Sequence, residues 1–429
     1  MAVPALKIDG AEVLLDAWPE PAGEAGWARA VRARAARRLA ERGAPVRRDE
    51  YWKFTDPTSL TAEPALPAAL LADDEKPMLD GADQLRVVFL DGVLAPGESD
   101  ALAMEGVEIR PLAEVLATDI TWARELFGAL EERGQVPVDR PLAALNTARA
   151  TEGLAIRVTG RAPRPVHLVY RRSRPEAEAL VRHLVRLEAG ADLTLLESGP
   201  AAARFNSVTE VEVAAGAAFH HVRTQGRDHE RRAATALFAR LGEKSLLKSF
   251  TLTVNGRLTR NEHVVEFTGD EAVAHVAGAC VGDGEFHHDD TVFITHDALA
   301  CESRQVFKKV LRGAATGVFQ GKILVKPGAQ KTDGYQISQA LLLDETSQFL
   351  AKPELEIYAD DVVCSHGSTS GAVDEDALFY LTSRGIPRRS AEELLVLAFL
   401  DQAIAEVEDP GLGDELRERL AAWLERRRQ

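Results

Sequence analysis

Cysteine is scarce in this chain, and long apolar runs are missing. Of its 429 residues only three are cysteine, Cys280, Cys301 and Cys364. Three thiols cannot build a disulfide framework in a chain of this length, which indicates a reducing compartment. No stretch reaches the ~18 consecutive apolar residues of a membrane span, and the N-terminus does not have the order of a secretory signal. We therefore expect a cytoplasmic protein without a membrane partner.

Positive charge is in deficit as well. The chain has 67 acidic and 51 basic residues, for a net charge of −16. Nucleic-acid binding draws on a basic surface, so this balance argues against DNA or RNA as a partner. The apolar fraction of 45% is ordinary for a globular protein. The length predicts about two to four domains.

The motifs of common catalytic and cofactor sites are missing too. The stretch GVFQGKI at residues 317–323 resembles a phosphate loop, but its glycines are one residue too close and isoleucine follows the lysine. The sequence contains no G-x-S-x-G, H-E-x-x-H or C-x-x-C motif. A serine hydrolase of that class and a self-contained zinc or cluster site are therefore not indicated.

The middle of the chain alternates apolar and polar residues, which indicates strands over 154–158, 166–170 and 185–189. Four glycines recur there at intervals of 26, 26 and 27 residues: Gly190, Gly216, Gly242 and Gly269. A fixed period in strand-rich sequence favours a solenoid, in which each coil covers the next. A meander of hairpins remains the alternative at this point.

Helical patterns flank the middle part. Helix formers are dense between Glu24 and Arg42, a second helix is predicted over 118–133, and Asp91-Gly92 predicts a hairpin between them. The chain thus divides into a mostly helical region with a short β segment (1–150), a β core (151–365) and a helical domain (366–429).

The C-terminal part is predicted to contain three helices. A short one covers 374–383, and a second runs from a capping box at Ser390 and Glu393 to Val407. After Pro410, four apolar residues share one helical face: Leu416, Leu420, Trp423 and Leu424. We expect these helices to cap the open end of the solenoid, which would otherwise expose unpaired strand edges.

Two groups of residues have side chains that bind metals. In the run from His287 to Asp290, alternation puts His287 and Asp289 on one face and His288 and Asp290 on the other, so the cluster is split. A polar solenoid exterior is the favoured interpretation of this run, and its role stays open.

Cys364 and His366 form the second group. Alternation in the preceding DDVV places them on one face at the end of a strand, before a loop over 367–371. Thiolate and imidazole suit zinc or iron, but two ligands cannot hold a metal alone. The pair is either structural or completed by a partner chain. Cys280 and Cys301 have small apolar neighbours and are expected to be buried thiols.

Three stretches resemble the SufD branch of the SufB/SufD family, whose members are subunits of an iron–sulfur cluster assembly complex. They are YWKFT (51–55), KILVKPGAQKTDGYQISQALLL (322–343) and LEIYADDVVCSHGSTSGAVDEDALFYLTSRGI (355–386). The resemblance implies a mainly β fold, a right-handed parallel β-helix core flanked by N-terminal and C-terminal helical domains. The SufB branch typically has an N-terminal cysteine cluster and a cysteine corresponding to 334–343, and this chain has neither. Ser338 and Ser368 depart from the family pattern, where we expect Asn and Ala.

The resemblance implies a non-catalytic scaffold subunit. It would pair with a SufB-type subunit, dock a SufC-type ATPase through its C-terminal helices around 374–399, and form a homodimer in isolation. His366 corresponds to the family's interface histidine and Cys364 to the accompanying thiol, so iron or a cluster would pass them transiently. The isolated chain is expected to bind no cofactor. A carbohydrate-active lyase or hydrolase is the alternative, because β-helices also host those enzymes.

Overall fold

A computed structural model of the chain describes residues 5–70, 78–79, 83–199, 202–226 and 228–426. Strands dominate the middle of the chain, and helices precede and follow them. The strands are β1 (Leu85–Leu90), β2 (Val93–Leu94), β3 (Ala103–Met104), β4 (Val107–Pro111), β5 (Leu154–Val158), β6 (Val166–Arg171), β7 (Glu178–Leu187), β8 (Asp192–Ser198), β9 (Arg204–Val213), β10 (Ala218–Gln225), β11 (Arg232–Leu241), β12 (Leu246–Val254), β13 (Leu258–Phe267), β14 (Val273–Asp283), β15 (His287–His296), β16 (Glu302–Arg312), β17 (Thr316–Val325), β18 (Asp333–Leu342), β19 (Gln348–Ile357) and β20 (Val363–Gly371). The α-helices are α1 (Ala5–Asp16), α2 (Gly26–Arg42), α3 (Thr58–Thr61), α4 (Leu112–Leu116), α5 (Ala129–Gly134), α6 (Pro141–Arg149), α7 (Glu375–Ser383), α8 (Arg388–Ile404) and α9 (Pro410–Arg426).

The strands form two ten-stranded sheets. Sheet A has the order β2-β1-β6-β8-β10-β12-β14-β16-β18-β20, and sheet B runs from β19 through the odd-numbered strands to β5 and then to β4 and β3. From β5 onward, successive strands alternate between the two sheets, and neighbours within each sheet pair in parallel. This is a parallel β-solenoid with helices at both ends of the chain, which confirms the predicted fold class and excludes the meander.

The periodic glycines precede β8, β10, β12 and β14, but they do not all have the same role. A left-handed residue stands two positions before each of these strands, and it is Gly190, Gly216, Lys244 and Glu271 in turn. Gly269 instead allows a close approach, because a Cβ there would lie 2.1 Å from the Glu243 backbone nitrogen. The period is therefore a property of the coil, and glycine fills two different positions in it.

The N-terminal part is joined to the solenoid rather than separate from it. The predicted hairpin is confirmed, with Asp91 and Gly92 left-handed between β1 and β2, and β1 also pairs in parallel with β6. The single helix predicted over 118–133 is wrong. Gly128 is left-handed and breaks it, and Glu210 accepts hydrogen bonds from the backbone amides of Gly128 and Leu130 at the start of α5.

The C-terminal helices cover the side of the solenoid. Val396 and Leu400 of α8 pack with Val306 on the outer face of sheet A, and the four apolar residues predicted for α9 are buried. The capping box is wrong, because α8 begins at Arg388 and Ser390 already lies inside it. The expectation that these helices cap the open end is also wrong. In the described part of the chain no strand pairs with the outer edge of β20, and 69% of Val363 is exposed there.

Two acidic residues after α8 fasten it to a row of basic residues on sheet A. Glu406 contacts His275 and Arg304 at 3.0 Å each. Glu408 contacts His220 at 3.3 Å and Lys248 at 3.4 Å. The row is in register on four neighbouring strands and consists of His220, Lys248, His275 and Arg304. The helices are thus held by both apolar packing and charge. None of the described helices combines the length and apolar character needed to cross a bilayer.

The solenoid interior contains a chain of buried polar groups beside its apolar core. Arg223 donates to Glu197 and Thr235 at 2.7 and 2.8 Å, and Thr235 donates to Asn261 at 2.8 Å. Burial would raise the pKa of Glu197, but Arg223 and His221 outweigh it and hold that pKa well below its usual range. Because an unpaired buried charge costs several kcal/mol, these partners must stay in register for the coils to stack.

Four buried histidines make the fold sensitive to acid. Burial lowers the pKa of His167, His183 and His296 to about 4, and that of His263 to about 3. The unfolded chain, in which histidine titrates near 6.5, binds more protons than the folded one below that pH. Stability should therefore fall as pH decreases from about 6.5 towards 4.

We expect urea unfolding at pH 5 to show a loss of about 2 kcal/mol per buried histidine relative to pH 7.5. Equal free energies of unfolding at the two pH values would contradict the burial of these four histidines in their neutral form.

Candidate functional site

Strand β20 presents a row of polar residues towards the solenoid interior. Its register on β18 sets Cys364, His366 and Ser368 over Gly334, Gln336 and Ser338. Gln336 and Ser338 are fully buried, so this row faces inward. Because β20 is the last strand of sheet A, the interior is open at this coil, and His366 is exposed while Cys364 is half-buried.

The predicted loop at 367–371 is wrong, since β20 continues to Gly371. Cys364 and His366 therefore lie in the first half of a strand and not at its end. They share one face, as alternation predicts, and β20 extends beyond the boundary at 365 that we placed between core and helical domain. This segment is a strand because nine consecutive residues of β20 pair with the backbone of β18, a long-range contact that alternation alone does not predict.

The Cys364 thiol occupies a partly apolar pocket. It packs against a small cluster that includes Ile323, and a Cβ on Gly334 would lie 3.2 Å from its Sγ. Burial raises the pKa of the thiol, with the Gly334 backbone acting in the opposite direction. Cys364 is therefore a neutral thiol at pH 7 until a metal or a cationic partner stabilises its thiolate.

Below His366 the interior is polar. Gln336 and Gln305 are stacked under it in register on β18 and β16, and both are fully buried. Neither side-chain amide has a hydrogen-bond partner among the described residues. An unsatisfied buried amide costs about 1–3 kcal/mol, so these two are an unusual feature at the open coil. Gln305, Gln336 and His366 are 31 and 30 residues apart, so the coils at this end are longer than the 26–27 residues of the glycine period, and that period could not have revealed the column.

The run from His287 to Asp290 is split between two faces as predicted, but the prediction of a polar exterior is wrong. On the outer side, Thr55 lies 3.0 Å from His287 and donates to Asp289 at 2.6 Å. On the inner side, Lys309 contacts His288 at 2.7 Å and Asp290 at 2.5 Å. The segment that contains Thr55 covers the outer face, so the run is structural on both sides.

The remaining cysteines are buried as expected. Cys280 and Cys301 are each 1% exposed, and burial raises the pKa of Cys280 to about 12. Among the described residues, no group of three or more His, Cys, Asp or Glu side chains could hold a metal ion. Cys364 and His366 thus have no third metal ligand within the part of the chain that the structure describes.

Comparison with known proteins shows the family to which this sequence is similar. The family described as "SUF system FeS cluster assembly, SufBD core domain" matches residues 170–399. The iron–sulfur cluster assembly protein SufD of Escherichia coli is 26% identical over 404 residues, 90% of each chain. SufD of Bacillus subtilis is 26% identical over 85% of this chain and 86% of its own. A SufBD family protein of Synechocystis is 28% identical over 87% and 86%.

This chain belongs to the SufBD family. The family match covers more than half of the chain and includes β20 with Cys364 and His366. Its relatives support a role in iron–sulfur cluster assembly, as the resemblance implied, and lend no support to the carbohydrate-active alternative. The SufD names of two relatives agree with assignment to the SufD branch.

The two departures from the family pattern are neighbours in this SufBD-family structure. Ser338 and Ser368 are register partners on β18 and β20, and their hydroxyl oxygens lie 2.7 Å apart. A hydroxyl pair thus ties the last two strands of sheet A together directly beside His366. The contact gives the buried Ser338 hydroxyl a hydrogen-bond partner within the inward row.

Burial predicts which thiol reacts. In the native chain a disulfide reagent should modify Cys364 alone, because the other two cysteines are buried and inaccessible. Denaturant should expose all three. Cys364→Ser should therefore remove almost all native reactivity, as measured by release of the chromophoric thiolate. Native reactivity that survives in Cys364→Ser would show that Cys280 or Cys301 is accessible.

Proposed function

We propose that this chain is a scaffold subunit for iron–sulfur cluster assembly that pairs with a SufB-type subunit through its terminal coil. The single observation that carries the proposal is the open coil itself, which leaves the edges of β19 and β20 unpaired among the described residues. An exposed strand edge is a template for pairing with another chain. A solenoid partner with a matching edge would continue the sheets.

Exposed side chains along this coil support an interface. Tyr358 and Val363, in and beside the connection between β19 and β20, are 60% and 69% exposed. No residue of β19 is fully buried, whereas most residues of β17, its neighbour in sheet B, are. In the absence of a SufB-type partner, a second copy of this chain can use the same edge. The proposal therefore includes a homodimer in isolation.

Cys364 and His366 would contact the cargo at that interface. Both are on the inward row of the open coil, where a partner coil would close over them. Thiolate and imidazole bind iron, and the partner would have to supply the remaining ligands. Iron or a cluster is thus a transient occupant held between two chains. The isolated chain would hold no cofactor.

The C-terminal helices would dock a SufC-type ATPase, and α7 is the part of them best suited to it. The apolar face of α8 is already used against sheet A, and α9 is buried in the same cluster. On α7, by contrast, Phe379 and Tyr380 are 73% and 56% exposed, and Leu378 alone is buried. Adjacent exposed aromatic residues are typical anchors of an interface. The chain would be a non-catalytic subunit, with ATP hydrolysis left to its partner.

His366→Ala tests the cargo role. We expect stability to change by less than about 1 kcal/mol, because the side chain is exposed. The purified complex with SufB-type and SufC-type partners should nevertheless contain less iron and sulfide after anaerobic co-expression. Ser365→Ala is the matched control, because Ser365 is the neighbour on the opposite face of β20. Equal cluster content in both variants and the wild type would refute a cargo role for His366.

Phe379→Ala combined with Tyr380→Ala tests the dock. Both aromatic rings are exposed, so the fold should be kept while affinity for a SufC-type ATPase falls at least tenfold. Ile120→Ala, at a residue 93% exposed in the N-terminal part, is the control and should bind normally. The affinities can be measured by calorimetry. If the double variant binds as tightly as Ile120→Ala, the dock lies elsewhere.

A further inference from the structure

The YWKFT motif forms a strap across the outer face of sheet B. We use "strap" for Glu50–Thr55, which begins with a short 3₁₀ helix, Glu50–Trp52. It crosses four neighbouring strands of sheet B, from β13 to β19. Tyr51 and Trp52 are 8% and 4% exposed, so both rings lie beneath the surface.

Three of these strands are bound through the strap's backbone, Trp52 and Thr55. Arg260 of β13 donates to the Tyr51 carbonyl oxygen at 2.8 Å and lies 4.2 Å over the Trp52 ring. Gln320 of β17 donates to the same carbonyl oxygen at 3.1 Å. Thr55 donates to Asp289 of β15 at 2.6 Å. These three strands are interior to the sheet and have a paired neighbour on each side.

The fourth strand, β19, is held by the other end of the strap. The Tyr51 hydroxyl donates to Glu354 at 2.5 Å, and the Lys352 ammonium lies 4.0 Å from the centroid of the Tyr51 ring. Lys352 also contacts Glu50 at 2.8 Å and Glu354 at 3.6 Å. Tyr51 stands edge-on to Phe293 of β15, with 5.0 Å between ring centroids, which anchors its ring to the body of the solenoid.

The strap matters most at β19 because β19 is the edge strand. Within the described residues it pairs only with β17, so half of its backbone groups lack a ladder partner. Edge strands with one neighbour open more readily than central strands. Tyr51 is buried, contacts two side chains of β19 and packs on β15. These side-chain contacts stabilise β19 against opening, in addition to its backbone hydrogen bonds to β17.

We propose that Tyr51 is a positioning residue that holds β19 in the shape which the partner subunit recognises. The strap thus gives the open coil a rigid edge before any partner is bound. The partner half of this inference rests on the proposed function, whereas the effect on β19 can be measured in the isolated chain. The Tyr51 side chain contacts Glu354 and Lys352 of β19 and packs on Phe293 of β15, so its action on the interface passes through β19.

Tyr51→Phe and Tyr51→Ala in the full-length chain test this role. Phe keeps the ring but loses the hydrogen bond to Glu354, and Ala loses both. Thr55→Val is the matched control, because it removes a strap contact to β15 without touching β19. Hydrogen exchange over Gln348–Ile357 should rise about fivefold in Tyr51→Phe and more in Tyr51→Ala, with no rise in Thr55→Val.

Binding of the partners provides the second readout. Affinity for a SufB-type subunit should fall in the same order, while affinity for a SufC-type ATPase should not change in any variant. If Tyr51→Ala does not fold, Tyr51→Phe alone decides. Unchanged exchange over β19 in Tyr51→Phe would overturn the inference, and so would equal loss of both affinities. If the wild-type chain binds no SufB-type subunit, the proposed function fails, and the exchange data still decide the action of the strap on β19.

Discussion

A parallel solenoid satisfies its backbone only through the coils above and below, and this constraint governs the rest of the structure. Every strand from β5 to β18 has a paired neighbour on each side, and helices α8 and α9 pack along the outer face of sheet A rather than over the end. Among the described strands, the long edges left without a partner are therefore β19 and β20 of the last coil, whereas the opposite ends of the two sheets are the two-residue strands β2 and β3. The last coil is also where the inward row becomes accessible, so Cys364 and His366 owe their exposure to topology and not to a local loop.

Buried charge fixes how the coils stack. Arg223 with Glu197, and Lys309 with Asp290, are ion pairs inside the solenoid, and each joins residues on different strands. Replacing such pairs by apolar residues often costs little, but breaking one by a shift in register leaves an uncompensated charge. The interior network thus specifies which strand lies over which. Near the open end this pattern changes, because Gln336 makes no hydrogen bond among the described residues beneath His366.

The strands and the shared face of the candidate site could be predicted from the sequence, but the segments that pack over them could not. Alternation depends on local pattern, so the strands and the shared face of Cys364 and His366 could be predicted. The glycine spacing favoured a solenoid but left a meander open, and the family resemblance decided between them. The buried setting of His287–Asp290 could not be predicted, because a strap more than two hundred residues earlier covers it. The same holds for the position of α8, since an amphipathic pattern indicates an apolar face but not the surface that receives it. The family resemblance supplied the function, which periodicity alone left open.

We propose that a SufB-type subunit binds at the unpaired edge of the terminal coil. Hydrogen exchange of this chain with and without that subunit tests this binding site directly, residue by residue. Binding there should give new protection over β19 and β20, Gln348–Ile357 and Val363–Gly371, with little change over the N-terminal strands. Complex formation that leaves these two strands as exchangeable as in the free chain, with protection elsewhere, would contradict it.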